Sequence, residues 1–180
     1  MSSPVDITLE ATGSITAIIG LGANMPSNFG SPLETLSEAM KRLKAKYSEI
    51  ACSSFYQTEA VDCAPGTADF INVVVALKLN LQSSASELLL YLQELEKNFG
   101  RVDSDSENAP RPLDLDILWF GNQQVSAPGL TIPHPRATRR RFVMEPLAEI
   151  APNLIVTGES KTALALLESL PLLPAVSRLS

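Results

Sequence analysis

The sequence predicts an α+β fold with a ferredoxin-like split β-α-β core, in which an antiparallel sheet is flanked by helices. The first observation is the order of the apolar segments, which follow one another as strand, helix, strand, strand, helix, strand. The second is that both helices open with a capping box, a local signal for a helix start. This order of elements leaves the function open, because one fold can host many sites.

Each of the two predicted helices has a clear beginning. The first begins at Ser31, followed by a proline and a capping glutamate, and its apolar residues recur at steps of three and four as far as Tyr47. The second begins at the box Ser84-x-x-Glu87 and ends at Gly100. Its periodicity predicts a buried stripe of Leu88, Leu92, Leu95 and Phe99 and an opposite face with Gln93 and Glu96.

The strands are predicted from apolar and β-branched runs. Residues 15–20 form the first strand, and the GLGAN stretch at its end lacks the third glycine of a dinucleotide-binding loop. Residues 49–58 and 70–79 are expected to pair antiparallel. The remaining predicted elements are a strand from residue 114, a turn at 121–122, a minor hairpin at 125 and 130–132, and a helix over 161–170.

The length and composition predict a single domain over residues 15–170. The chain has 180 residues, of which 45% are hydrophobic, enough for one well-buried core. Residues 1–14 are expected to be disordered, the polar stretch 101–110 to be a mobile loop and 171–180 to be a loose tail.

The charge balance excludes several classes of partner. A net charge of -6 argues against bulk attraction to nucleic acid or to an anionic membrane. Cys52 and Cys63 have neither the spacing of a metal site nor that of a disulfide framework, and no targeting segment is visible. We therefore expect a cytoplasmic protein that acts as a monomer on small molecules.

Asp114 and Asp116 are the most informative pair of residues. They stand two apart in the run RPLDLDILWF, so in a strand they face the same way with Cα atoms roughly 6.5 Å apart. Two neighbouring carboxylates ionise together only beside a cation, and Mg²⁺ prefers such oxygen ligands. The pattern alone also fits the solvated face of an edge strand.

Arginine and asparagine residues add to this candidate site. Arg136 and residues 139–141 place four arginines within six positions, which suits a small polyanion or a solvated helix face equally well. Asn72 interrupts an apolar strand two residues after Phe70, and a buried amide needs a partner. That partner is either a planar ligand stacked on Phe70 or the backbone of a neighbouring loop.

Long motifs of this chain resemble one enzyme family. They are SSFYQTEAV (53–61), DFINVVVAL (69–77), LEKNFGR (95–101), APRPLDLDILWFGN (109–122), LTIPHPR (130–136) and RRFVMEPLAEIAP (140–152). In collinear order over about residues 15–158, they are similar to the 6-hydroxymethyl-7,8-dihydropterin pyrophosphokinases of folate biosynthesis.

The resemblance implies that the terminal pyrophosphate of ATP is transferred to the hydroxymethyl group of the reduced pterin, with release of AMP. It implies that Asp114 and Asp116 hold two Mg²⁺ ions and that Arg101 and Arg111 complete the catalytic set. The remaining implied ATP contacts are Gln93, Glu96, Ile117, Thr131, His134 and Arg140, and the implied pterin contacts are Thr58, Val61, Phe70, Asn72 and Phe142.

Two positions depart from the family pattern, and two other functions compete with this one. Asn108 stands where the family often has an aromatic residue, and Asp103 stands where a second basic residue is frequent. A ferredoxin-like binding module that docks, for instance, RNA on its sheet would need exposed aromatic and basic side chains on the central strands. A glycosidase acid/base pair would need one raised carboxyl pKa, whereas the neighbouring arginines are expected to lower both.

Overall fold

The computed structural model describes residues 7–60, 66–102 and 110–179. Its strands and helices follow in the order β1 Glu10–Ala11, β2 Ser14–Ala23, α1 Pro32–Lys46, β3 Ser48–Cys52, β4 Tyr56–Thr58, β5 Phe70–Asn80, α2 Ala85–Asn98, β6 Asp114–Phe120, β7 Val125–Ala127, β8 Leu130–Ile132, α3 Arg141–Ile150, α4 Ala163–Ser169 and β9 Val176–Arg178. A 3₁₀ turn, Ala137–Arg139, precedes α3.

The main sheet is antiparallel and confirms the predicted ferredoxin-like order. Strands β2 and β5 lie at its centre, and β2 pairs over its whole length with residues 71–80 of β5. Strand β6 pairs with β2, whereas β3 and β4 pair with β5. The small β1 pairs with the start of β2, β9 extends the sheet beyond β4, and β7 and β8 form the separate hairpin.

The sheet separates two hydrophobic layers. One face packs against α1 and α2 around Leu36, Leu92 and Phe99. The other face packs against α3 and α4 around Met144 and Leu147. Neighbouring residues of a strand point to opposite faces, so each central strand supplies side chains to both layers.

Both predicted capping boxes are present. Ser31 accepts a hydrogen bond from the backbone N–H of Glu34, and the Glu34 carboxylate accepts one from the backbone N–H of Ser31. The same exchange joins Ser84 and Glu87 at the start of α2. The predicted stripe of α2 is buried, but Glu96 is also buried, at 7% exposure, so its expected position on the open face is wrong.

Two interior segments differ from the prediction. The single strand expected over 49–58 is divided into β3 and β4 because Ser53 turns toward β5, where its backbone N–H donates to the carbonyl of Val74 and its Oγ accepts from the Val74 N–H. The helix α3 was not predicted. It contains Pro146, which weakens the helical signal of an otherwise amphipathic segment.

Both ends of the described chain are more ordered than expected. Ile7 and Leu9 are buried, and β1 pairs with β2, so residues 7–14 are not disordered. Residues 1–6 lie outside the described part. The tail forms β9, which pairs with β4 and so becomes part of the sheet. Within the described residues, no helix is both long enough and apolar enough to cross a membrane.

Candidate active site

A cleft of about 750 Å³ opens on the sheet face that carries α3 and α4. Along the central strands this face changes from apolar to polar. Val74 of β5 and Leu118 of β6 belong to the hydrophobic layer and border the cleft, whereas Asn72 and Asp116, two residues further along these strands, are the polar part of its lining. The period of two along a strand thus extends the core layer directly into the polar floor of the cleft.

Gly22 keeps the floor open between two polar side chains. Its register partners are Asn72 on β5 and Asp114 on β6. A Cβ atom at Gly22 would lie 3.2 Å from Oδ1 of Asn72 and 4.0 Å from Cβ of Asp114. There is therefore little room for a side chain at residue 22. Because glycine has none, the Asn72 amide and the Asp114 carboxylate lie on one continuous surface.

Asp114 is held by two arginines. Its Oδ1 lies 2.9 Å from Nη1 of Arg101 and 2.8 Å from Nη1 of Arg111. Arg101 follows α2, where Gly100 has a φ of +91° and turns the chain so that the Arg101 N–H donates to the Glu96 carbonyl. This carboxylate therefore sits beside two positive charges in the cleft.

Glu96 lies behind this pair of arginines. Its Oε1 accepts a 2.7 Å hydrogen bond from the backbone N–H of Leu115 and forms an ion pair with Nη1 of Arg101. Burial raises the pKa of Glu96 to about 7, although Arg101 and the Leu115 N–H act in the opposite direction. Glu96 thus positions Arg101 and links the end of α2 to the start of β6.

Asp116 occupies a different electrostatic environment from Asp114. Burial in the cleft, and then repulsion from Asp114, raise the pKa of Asp116 to about 6, and the attraction of Arg140, Arg101 and Arg111 does not cancel this rise. The expectation that the arginines lower the pKa of both carboxyls is therefore wrong for Asp116. Its side chain is still 41% exposed and accessible from the cleft.

His134 faces Asp116 across the cleft, with Nε2 3.9 Å from Oδ2 of that carboxylate. Its Nδ1 accepts a hydrogen bond from the Arg136 N–H, so in the neutral ring the proton resides on Nε2. Burial, followed by repulsion from Arg140 and Arg136, lowers the pKa of His134. The ring is therefore a neutral hydrogen-bond donor toward the cleft.

The opposite end of the cleft is aromatic and amidic. Nδ2 of Asn72 donates a 2.8 Å hydrogen bond to Oγ1 of Thr58, and both side chains are buried. Phe70 and Phe142 also line the cleft, and the Arg140 guanidinium lies 5.2 Å from the centre of the Phe142 ring. A flat heterocycle with polar edges fits such surroundings.

The Asp114 and Asp116 pair suits a divalent cation that also binds a ligand. Two carboxylates on one strand face supply hard oxygen ligands. Among the described residues, no cluster of three or more His, Cys, Asp or Glu side chains could hold a metal. The two aspartates therefore fit a Mg²⁺ ion that takes its other ligands from phosphate oxygens and water, as Mg²⁺ commonly does.

Most residues implied by the resemblance meet in this cleft. The structure places Thr58, Phe70, Asn72, Gln93, Glu96, Arg101, Arg111, Asp114, Asp116, His134, Arg140 and Phe142 along its lining. The side chain of Ile117 is instead buried in the layer beneath α1 and α2, because it alternates with Asp116. Thr131 is exposed on β8 and does not line the cleft, and Val61, Asp103 and Asn108 lie outside the described residues.

The arginine cluster of residues 136–141, for which the sequence left a polyanion site and a solvated helix face open, belongs to the cleft. Arg136, Arg139 and Arg141 line it with Arg101, Arg111 and Arg140, and no lysine is among the described lining residues. Their clustering was visible in the sequence, but not its direction. Asn24 was not predicted as part of the site: it lies directly after β2, is buried, and exchanges hydrogen bonds with the backbone of Arg111.

Comparison with known proteins agrees with this geometry. A family model described as 7,8-dihydro-6-hydroxymethylpterin-pyrophosphokinase (HPPK) matches residues 18–152. A 2-amino-4-hydroxy-6-hydroxymethyldihydropteridine pyrophosphokinase from Synechocystis sp. is 38% identical, with 92% of this chain and 80% of that protein covered. One from Haemophilus influenzae is 37% identical, with 79% of this chain and 85% of that protein covered.

Solved structures show the same fold. The crystal structure of Plasmodium falciparum HPPK-DHPS A437G with pteroate superimposes with a TM-score of 0.62 at 16% identity, covering 86% of this chain and 40% of that one. At this identity the likeness concerns the fold alone. Together with the family match and the bacterial relatives, the cleft described above leads to one assignment: this chain belongs to the HPPK family.

Proposed function

We propose that this chain transfers pyrophosphate from ATP to the hydroxymethyl group of 6-hydroxymethyl-7,8-dihydropterin, giving the pterin diphosphate and AMP. Membership of the HPPK family supports this activity and ATP as the co-substrate. The observation that carries the assignment of the site is that paired carboxylates with two arginines and a Thr58–Asn72 pair with two phenylalanines line one cleft.

The carboxylate end would hold the phosphates. Asp114 and Asp116 would bind two Mg²⁺ ions, which neutralise phosphate charge and lower the pKa of the attacking hydroxyl when bound. Arg101 and Arg111 are placed to donate to phosphate oxygens, and their planar forks suit phosphate better than lysine does. The neutral Nε2–H of His134 supplies a further donor near Asp116.

The aromatic end would hold the pterin. The ring would lie between Phe70 and Phe142. The Asn72 amide and the β4 backbone at Thr58 would form hydrogen bonds with its polar edge. Gly22 of β2 lies between Asn72 of β5 and Asp114 of β6, so only one strand separates the amide from the carboxylate. One molecule can therefore reach both ends. Holding the alcohol and the β-phosphorus in line supplies most of the catalysis available without a covalent intermediate.

The competing functions explain fewer observations. A binding module without catalysis gives no reason for carboxylates and arginines to converge in the cleft, and the family match argues against it. The raised pKa of Asp116 meets one requirement of a glycosidase pair. However, the cluster of arginines around Asp114 is a phosphate environment rather than a sugar environment.

The decisive experiment separates AMP from ADP after the protein is incubated with ATP, Mg²⁺ and the reduced pterin. We expect AMP and the pterin diphosphate from the wild type, and none above background from Asp116→Asn. Glu94→Gln, the same change at an exposed carboxylate of α2 that does not line the cleft, should behave as the wild type. ADP formation, or full activity of Asp116→Asn, would refute the proposal.

We also propose that the protein works as a cytoplasmic monomer. The two cysteines of the sequence, Cys52 and Cys63, have neither the spacing of a disulfide framework nor that of a metal site, which suits a reducing compartment. Light scattering at micromolar concentration would test the monomer, because a dimer has twice the mass. Fractionation of cells that express the chain would test the location.

A further inference from the structure

The segment from Leu170 to Pro174 bridges the two walls of the cleft at its aromatic end. At one end of the segment, Nη1 of Arg141, next to Phe142, lies 3.4 Å from the carbonyl oxygen of Leu170. At the other end, β9 pairs with β4 in a register that sets Val176 opposite Thr58. The chain between these points therefore spans from the wall with Phe142 to the wall with Thr58.

Glu149 fixes the far end of this segment. Its carboxylate accepts hydrogen bonds from the Ser54 N–H and from Oη of Tyr56, at 2.8 and 3.0 Å, and pairs with Nη2 of Arg178 at 3.2 Å. One side chain of α3 is thus tied both to β4 and to β9. The Leu179 N–H extends the pairing with a 2.8 Å hydrogen bond to the carbonyl of Phe55.

The bridging segment presents apolar side chains at the mouth of the cleft. Leu170, Pro171, Leu173 and Pro174 line it, whereas Leu172 does not. Leu173 is 75% exposed and Leu172 is 76% exposed. When a bound ligand covers an exposed leucine that lines the cleft, the removal of apolar surface from water lowers the free energy of the complex. An exposed leucine that points elsewhere makes no such contribution to binding.

We propose that Leu173 is a substrate-contacting residue, and that Leu170, Pro171, Leu173 and Pro174, without Leu172, form a third wall of the pterin site besides Phe70 and Phe142. The inference rests on the proposed function, because it takes the aromatic end of the cleft as the pterin end. Leu173 covers the apolar face or edge of the bound ring and thereby raises the affinity for the pterin. It takes no part in phosphoryl transfer.

The experiment compares Leu173→Ala with Leu172→Ala in the full-length chain. With ATP and Mg²⁺ saturating, Leu173→Ala should raise the KM for the pterin about 3- to 10-fold, the effect of leaving roughly half a leucine side chain uncovered. Its kcat and its KM for ATP should stay within twofold of the wild type. Leu172→Ala removes the same atoms one residue away and should match the wild type in all three constants.

A second variant and a stability control make the result unambiguous. Leu173→Asn keeps the branched shape and the number of non-hydrogen atoms but removes the apolar surface, so it should raise the KM for the pterin at least as much as Leu173→Ala. Both leucines are exposed, so all variants should unfold at the wild-type temperature. An unchanged KM for the pterin in Leu173→Ala, equal increases at positions 172 and 173, or an increase confined to ATP would refute the inference. A wild type that forms no AMP would refute the proposed function instead.

Discussion

Asn24 holds the backbone of Arg111 on both sides. Its Oδ1 accepts a 2.9 Å hydrogen bond from the Arg111 N–H, and its own N–H donates to the Arg111 carbonyl at 3.3 Å. Nδ2 of Asn24 also donates to the carbonyl of Ala68, just before β5. Asn24, directly after β2, thus fixes the backbone position from which the Arg111 side chain extends.

Arg111→Lys should therefore change the donor and leave the backbone in place. Lysine keeps the charge but lacks the planar fork, so we expect kcat to fall about 10- to 100-fold, because donors aligned to the transition state are lost. The KM for the pterin should change less than threefold. Steady-state kinetics would measure both constants.

Arg42→Lys is the matched control for that variant. Arg42 pairs with Glu38 and stacks near Phe29 and Phe99, and it does not line the cleft. Its kcat should equal that of the wild type. If Arg111→Lys also retains the wild-type kcat, the guanidinium has no role in the transition state.

Gly22→Ala should weaken the binding of the pterin. The new Cβ would lie 3.2 Å from Oδ1 of Asn72, so the amide must move, and its hydrogen bond to Thr58 must lengthen or break. We expect a KM for the pterin about tenfold higher, the equivalent of about 1.4 kcal/mol, in line with the net worth of one hydrogen bond. Kinetics and isothermal titration would both detect this change.

Gly20→Ala tests whether the effect belongs to position 22. Its Cβ would lie 3.3 Å from Cδ1 of Leu118, the end of a flexible side chain that can move aside. The KM for the pterin should rise less in this variant than in Gly22→Ala. The reverse order would mean that the Asn72 amide does not read the pterin.

The requirement for Mg²⁺ should increase as the pH falls through about 6. The pKa of Asp116 is raised to about 6, so below this pH the carboxyl is largely protonated and the proton competes with the metal. The Mg²⁺ concentration for half-maximal rate should rise by up to about tenfold per pH unit below 6. Rates measured over a grid of pH and Mg²⁺ concentration would show it. If saturating Mg²⁺ does not restore the rate at pH 5.5, competition at Asp116 is not the cause.

Glu96 should make the folded protein less stable as the pH rises. Burial raises the pKa of Glu96 from 4.5 to about 7, so between these values the folded state binds the proton more tightly than the unfolded chain. The contribution of Glu96 to the free energy of unfolding is thus fully present below about 4.5 and is lost as the pH rises to about 7.

Glu96→Gln removes this titration. Over pH 4.5–7 the difference in the free energy of unfolding, variant minus wild type, should increase. Urea denaturation at several pH values would measure it, with Glu94→Gln as the exposed control on the same helix. A difference that stays constant with pH would contradict the raised pKa.

The features that could be predicted from the sequence are those with a local cause. The capping boxes at Ser31 and Ser84 and the alternation that places Asp114 beside Asp116 depend only on neighbouring residues. The ferredoxin-like order followed from these elements. The assignment of Arg101 and Arg111 to the catalytic set followed from the resemblance to the family, whereas their contacts with Asp114 are seen only in the structure.

The features that escaped prediction depend on distant contacts. The periodicity of α2 predicts that Glu96 is exposed. It is buried because it accepts a hydrogen bond from the Leu115 N–H and forms an ion pair with Arg101. The short β9 has no strand signal of its own and is ordered by β4 and Glu149. Ile117 was carried over by resemblance, although its neighbour Asp116 already assigns it to the other face of the strand.

The absence of lysine from the described lining of the cleft has a practical consequence. The basic residues that line the described part of the cleft include six arginines. The six lysines of the chain lie elsewhere, three of them on α1, which packs against the opposite face of the sheet. Amine-reactive dyes or resins should therefore modify or immobilise the protein without blocking the cleft. Dicarbonyl reagents, which attack guanidinium groups, should inactivate it, and bound nucleotide should protect it.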